Sequence, residues 1–378
     1  MWEDKTKSVT LDMQSLAFQP VLPWENHPKA VEFRDGKCYV RIRADASRSV
    51  QGVIEDGTRD FQKTDDGIWE LEFPYHDGIK YIQLLFDGQE LLSPLLPIVY
   101  GYSRPYNIVE QPVPGEEFHA LKDVPHGSLR REYFHSAVTG EWESCVVYTP
   151  PSYDQEPGRV YPVLYLQHGH GENETGWSTA GRVNFILDNL IAEGRAAEFA
   201  VVMCNGMVQK ARPDGSRFVD PMLFEDYLLQ DAIPFAESRL RIGGEKRRRA
   251  VAGHSMCSMQ SIILACNHQE IFDAVGIFSG FLHDIVRGSE LDMLDRPAGD
   301  NAHLRALDDA AEFNSRIRVF FRAIGDRDPY LPYFKDDDAL CAEKGIRQTR
   351  KIYEGVHDWN VWRRCLYDFA QMIFKEHE

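Results

Sequence analysis

Two rhythms of apolar and polar residues divide the chain. Up to about residue 105 apolar positions alternate with polar ones: Cys38, Val40 and Ile42 against Tyr39, Arg41 and Arg43, then Trp69, Leu71 and Phe73 against Glu70 and Glu72. A period of two over short runs predicts half-buried antiparallel strands. Five Asp-Gly pairs punctuate this region, at Asp35-Gly36, Asp56-Gly57, Asp66-Gly67, Asp77-Gly78 and Asp87-Gly88, the last four spaced ten or eleven residues apart. Asp-Gly is what a two-residue hairpin turn favours, because both central positions need positive φ. The pattern predicts a small β-sandwich over residues 1–105. Residues 106–126, in a stretch rich in proline and tyrosine, read as a linker. From 127 to 378 short apolar runs alternate with helical patterns, which predicts an α/β domain with a central, mostly parallel sheet.

The second region holds the candidate chemistry. The run Arg249-Ala250-Val251-Ala252 leads into Gly253-His254-Ser255-Met256-Cys257 and a helical stretch from Met256 to Gln269. A serine between strand and helix in a near-match to G-x-S-x-G is what a nucleophile elbow requires: a tight turn that lifts the hydroxyl clear of the sheet. The bland alternative is an ordinary helix N-cap serine. Downstream, a strand over 316–324 runs into Gly325-Asp326-Arg327-Asp328-Pro329, and a last strand over 348–353 into Glu354-Gly355-Val356-His357-Asp358-Trp359. Acyl transfer by serine needs an imidazole base and a carboxylate to orient it, and here they follow in the order Ser, Asp, His. His357 is the candidate base; Asp326 and Asp328 both qualify as the acid. Upstream, the apolar run 161–167 ends in His168-Gly169-His170-Gly171, a turn whose backbone can approach a carbonyl oxygen. The N–H groups of His170 and Met256 are therefore candidate oxyanion donors. His168 and His170 could share a face as metal ligands, but no third ligand of matching spacing follows, so no metal is expected.

The sequence resembles the esterase D-like hydrolases, in particular the feruloyl and acetyl xylan esterases of carbohydrate esterase family one. The resemblance runs through Asp123-Val124-Pro125-His126-Gly127, residues 147–153, Tyr165-Leu166-Gln167-His168-Gly169, Glu174-Thr175-Gly176-Trp177, residues 184–194, Phe278-Ser279-Gly280 and His357-Asp358-Trp359. It implies an α/β-hydrolase fold, with Ser255 as nucleophile, His357 as base and Asp328, rather than Asp326, as acid. It also implies a substrate site drawn from Gly169, His254, Glu174, Trp177 and Trp359, and no cofactor. The implied reaction is cleavage of feruloyl, acetyl or similar esters of plant-derived saccharides, or of small aromatic esters. A carbohydrate-binding protein with a vestigial hydrolase domain, or an amidase or peptidase on the same triad, are the alternatives. Family members generally carry glycines where this chain has Cys257-Ser258, so the helix must shift outward or find small partners opposite. The N-terminal region resembles immunoglobulin-like modules related to glycogen-binding domains, in which Trp24, Tyr75 and Tyr81 are the aromatics that could stack on sugars.

Composition narrows the partners. Over 378 residues the formal net charge is −17, which repels nucleic acid and anionic membrane surfaces. Lys246-Arg247-Arg248-Arg249 is the one basic run, and it reads as a solvated turn. Seven cysteines without a C-x-x-C pair fit reduced thiols rather than a disulfide framework. No apolar stretch reaches membrane-spanning length, and the first residues do not resemble a signal peptide. A cytoplasmic enzyme acting on a small or oligosaccharide ester is expected, with homo-oligomerisation left open.

Overall fold

The computed structural model describes residues 29–54, 57–64, 67–75, 78–111, 113–220, 222–283 and 301–375. It divides into two compact units, Met1–Asp123 and Val124–Glu378.

The first unit is built from antiparallel strands in two sheets. One has the order Val31–Arg34, Lys37–Arg43, Ile68–Pro74, Gln62–Lys63; the other runs Gly57–Asp60, Val50–Ile54, Gly78–Phe86, Arg104–Gln111, Ile98–Gly101. Val40, Ile42, Trp69 and Leu71 of the first sheet join Val50, Ile82, Leu84 and Val109 of the second in one core. Burying one face leaves the other for charges, so Arg41 reaches its cross-strand partner Glu70 at 2.6 Å. Asp35-Gly36 and Asp87-Gly88 form two-residue hairpin turns with φ of 51° and 71°, and of 50° and 83°, the mirror-image geometry that matches strand twist. Asp56, Asp66, Asp77 and Trp24 lie outside the described residues. The boundary expected at 105 is too early. Residues 106–111 belong to a strand, Arg104–Gln111, which pairs with Gly78–Phe86 on one side and Ile98–Gly101 on the other. Its proline stands near the strand start, where a missing N–H is tolerated, and Ile108 and Val109 are buried. Tyr75 is buried too, so it offers sugars no ring face; Tyr81 packs edge-on against Tyr102 and Tyr106.

The second unit is an α/β-hydrolase fold. Its sheet has eight strands: β1 Ser128–His135, β2 Trp142–Thr149, β3 Val163–Gln167, β4 Ala200–Cys204, β5 Arg249–His254, β6 Ala274–Phe278, β7 Val319–Gly325 and β8 Thr349–Tyr353, in the order β1-β2-β4-β3-β5-β6-β7-β8. β1 and β2 are antiparallel to their neighbours, and β3 to β8 are mutually parallel. The inner strands β3, β4 and β6 are buried at every residue, which is why they read as continuous apolar runs rather than alternating ones. Among the helices are α1 Val183–Ala192, α2 Met256–Asn267, α3 Leu331–Lys344 and α4 Trp359–Ala370. Parallel connections bring the carboxyl ends of β3, β5, β7 and β8 to one edge of the sheet, and the candidate residues all follow those ends. No helix among the described residues is long and apolar enough to cross a membrane.

Candidate active site

Ser255 occupies the turn between β5 and α2 with φ 53° and ψ −126°, a backbone conformation that costs energy and persists only when its surroundings enforce it. They do. The Ser255 N–H donates to Phe278 O at 3.0 Å, and Ser255 O accepts both the Ser258 N–H at 3.0 Å and the Ser258 hydroxyl at 2.5 Å. Gly253 is required: a Cβ there would stand 2.5 Å from the Cys257 carbonyl oxygen.

Opposite Cys257 and Ser258 stand glycines. A Cβ on Gly206 would come within 2.5 Å of Cys257 Sγ, and one on Gly280 within 1.7 Å of Ser258 Oγ. The helix therefore keeps its close approach to the sheet with the bulk moved from one side of the contact to the other. Cys257 is fully buried, and burial pushes its thiol well above the ordinary range, so it supplies no thiolate.

The three distant side chains converge. His357 Nε2 lies 2.8 Å from Ser255 Oγ, and His357 Nδ1 lies 2.8 Å from Asp328 Oδ2. The network assigns the proton on Nδ1 to the Asp328 bond, leaving Nε2 to accept from the serine hydroxyl. The Asp328 side chain is fully buried, and its other oxygen accepts the Tyr330 N–H at 2.9 Å. The imidazole is gripped edge-on by Tyr330 at 5.0 Å and Trp362 at 5.2 Å. Asp326 is turned away: it accepts the Gly355 N–H at 2.9 Å with its side chain 48% exposed. It ties the two loops together and leaves the imidazole to Asp328.

The turn after β3 lies against Ser255, since a Cβ on Gly169 would meet Ser255 Cβ at 3.2 Å and His254 Nε2 at 2.9 Å. His170 is exposed beside it. The N–H of Met256 opens α2 and so has no helical acceptor. Gly206 N–H donates to His168 Nε2 at 2.9 Å while His168 Nδ1 faces Gly169 O at 2.8 Å, and burial holds this histidine below its ordinary pKa. A neutral imidazole with both nitrogens engaged braces the turn.

The five residues expected to touch substrate are engaged within the protein instead. Trp177 and Trp359 are each only 1% exposed; they pack edge-on against each other at 5.1 Å, and the Trp177 indole N–H donates to Gln167 O. Both are core because the segments carrying them run beneath the site. His254 is buried, stacked on Trp362 at 4.0 Å, with Nε2 2.8 Å from Glu172 Oε2. The Gly169 N–H also goes to Glu172, at 2.8 Å, rather than to a ligand. Glu174 is held by the Ser144 hydroxyl at 2.7 Å, near Arg131.

Glu172 is the residue that sequence reasoning missed. Burial by itself would raise its carboxyl pKa, but His254 and the Gly169 N–H bring it below the ordinary range, while burial holds His254 neutral. A buried carboxylate thus pins the turn after β3 to the end of β5, just before Ser255. Its one sequence signal was an acid directly after the His168–Gly171 turn.

The Esterase family matches residues 136–372. An endo-1,4-beta-xylanase/feruloyl esterase of Xylanibacter ruminicola is 29% identical over 355 residues, 90% of this chain and 45% of that protein. An endo-1,4-beta-xylanase Y of Acetivibrio thermocellus is 23% identical over 68% of this chain and 24% of that protein. The chain therefore spans less than half of either relative. Among solved structures, a ferulic acid esterase of Anaeromyces mucronatus matches with a TM-score of 0.58 at 22% identity, over 68% of this chain and 95% of that one. The enterobactin esterase of Shigella flexneri matches with a TM-score of 0.61 at 14% identity, over 91% of this chain and 96% of that one.

Proposed function

The chain belongs to the Esterase family, and from that premise we propose that Ser255, His357 and Asp328 are the catalytic triad of a serine carboxylesterase that cleaves feruloyl or similar aryl esters of plant saccharides. The observation that carries the reading is the unbroken relay from Ser255 Oγ to His357 to Asp328, with both links at 2.8 Å. Ser255 Oγ attacks the ester carbonyl carbon as its proton passes to His357 Nε2. The oxyanion is met by the N–H groups of Met256 and His170. Collapse of the tetrahedral intermediate breaks the bond to the alcohol oxygen, which takes the proton from His357. Water then attacks the acyl-enzyme by the same route, releasing the acid and regenerating the serine.

An aryl acyl group is favoured by the wall beside the base. Phe281 packs against Tyr330 at 5.5 Å and Tyr333 at 6.0 Å; Tyr330 in turn packs on His357, and Tyr333 and Val356 are 40% and 43% exposed. Such a wall offers ring-edge and ring-face contacts to an aromatic acid. The feruloyl esterase named among the relatives supports the same substrate class. The seven cysteines are all buried and unpaired, which fits a reducing compartment. Methyl ferulate hydrolysis by the full chain is the test: turnover by the wild type and its loss, by about 10⁴-fold or more, in Ser255→Ala is expected. Equal rates in the two proteins would refute the assignment.

A further inference from the structure

We propose that the hairpin β1–β2 carries a second, distal binding site, an aromatic platform for the saccharide chain of the ester, with Trp142 and Tyr133 as its stacking surfaces. The inference rests on the esterase reading and extends it from the acyl group to the sugar. Trp142 is 73% exposed and Tyr133 61%, more than any other aromatic among the described residues of this unit. Large apolar rings held in water mark a contact surface. Register puts them together. Trp142 pairs with His135, and Ser144 with Tyr133, and residues directly opposite on antiparallel strands share a face. The alternate residues Phe134 and Cys145 enter the core on the other face, so both rings point outward on one side. His135 and Trp142 lie 5.8 Å apart at 88°, which steadies the indole without covering it.

The chemistry around the rings suits a neutral pyranose chain. Sugar rings present C–H faces to aromatic surfaces and hydroxyls to polar groups at the side. Arg131, with a side chain 44% exposed, lies on the same face, 3.5 Å from Glu174. Its guanidinium has donors to spare after that contact. Position ties the platform to the catalytic serine. Cys145 of β2 pairs with Cys204 at the end of β4, so Trp142 emerges at the sheet edge from which Ser255 also emerges. From β2 to β5 the order β2-β4-β3-β5 makes three strand spacings, about 14 Å at ~4.8 Å per strand. Glu174, on the segment that follows the His168–Gly171 turn, reaches across to Ser144 of the hairpin and so bridges the two regions. An oligosaccharide spans that gap; a single sugar does not.

The test is affinity electrophoresis of the full chain through native gels containing soluble, de-esterified arabinoxylan, comparing the wild type with Trp142→Ala/Tyr133→Ala. Retardation of the wild type and an affinity roughly tenfold or more weaker in the double variant, with an intact thermal midpoint, is the expected result. No retardation of the wild type, or equal retardation of both, overturns the platform. A dimer that the double variant abolishes would assign the face to a second copy of the chain and overturn it as well. Binding to de-esterified polymer needs no catalysis, so failure of the platform is distinguishable from failure of the esterase reading, which methyl ferulate turnover reports.

Discussion

Gly280→Ala should damage the nucleophile elbow from across the sheet. The new Cβ would stand 1.7 Å from Ser258 Oγ and 2.5 Å from Ser258 Cβ, with Ser255 O next at 3.4 Å. Ser258 is fully buried and its hydroxyl is bonded to Ser255 O at 2.5 Å, so it cannot swing aside without breaking that bond. Overpacking costs about 1–3 kcal/mol, and the lost hydroxyl bond about 1 kcal/mol. A total of roughly 2–4 kcal/mol corresponds to a fall of roughly 5–15 °C in the unfolding midpoint of a unit this size. Activity should fall as well, because the displaced group supports the carbonyl of the strained residue. In a Ser258→Gly background both offending atoms are gone, and the alanine meets only the ordinary contact with Ser255 O. The penalty should then nearly vanish, so the coupling in the double-mutant cycle should equal most of it, about 2–4 kcal/mol. The four proteins would be heated and followed through residual esterase activity, which reads the unit that carries the elbow. If Gly280→Ala costs as much in the Ser258→Gly background as it does in the wild type, the idea that glycines opposite compensate for the altered elbow is wrong.

Other outcomes follow from the same geometry. Asp328→Asn should lower kcat by about 10³–10⁴-fold by removing the carboxylate that orients the imidazole, whereas Asp326→Asn should change it only a few-fold; steady-state kinetics on methyl ferulate with the effects reversed would make Asp326 the acid. Burial holds His254 and His168 below the pKa of a free imidazole, so below about pH 6.5 protons favour the unfolded chain and stability is lost on acidification. Replacing His254 with asparagine should flatten stability against pH between about 7 and 5 by up to ~1.4 kcal/mol per pH unit, and an unchanged slope in urea titrations would contradict a neutral, buried imidazole.

Much of the molecule was legible in the linear chain because its local patterns have local causes. Alternation reports a sheet with one face buried, and Asp35-Gly36 and Asp87-Gly88 report the positive φ of their turns. The order of strand ends followed by Ser255, an aspartate loop and His357 reports the connectivity of a parallel sheet. What only tertiary structure decided is which way neighbouring side chains point. Asp326 and Asp328 are two residues apart in the same loop, and the Gly355 N–H that captures Asp326 comes from a different one. Trp177 and Trp359 lie close in sequence to the His168–Gly171 turn and to His357 yet face inward, where they fill the core beneath the site. Glu172 acquired its role from His254 and the Gly169 N–H, and Cys257 and Ser258 became tolerable only because Gly206 and Gly280 stand against them. Each of these depends on contacts between segments far apart along the chain, where periodicity carries no information and steric fit and hydrogen-bond satisfaction decide.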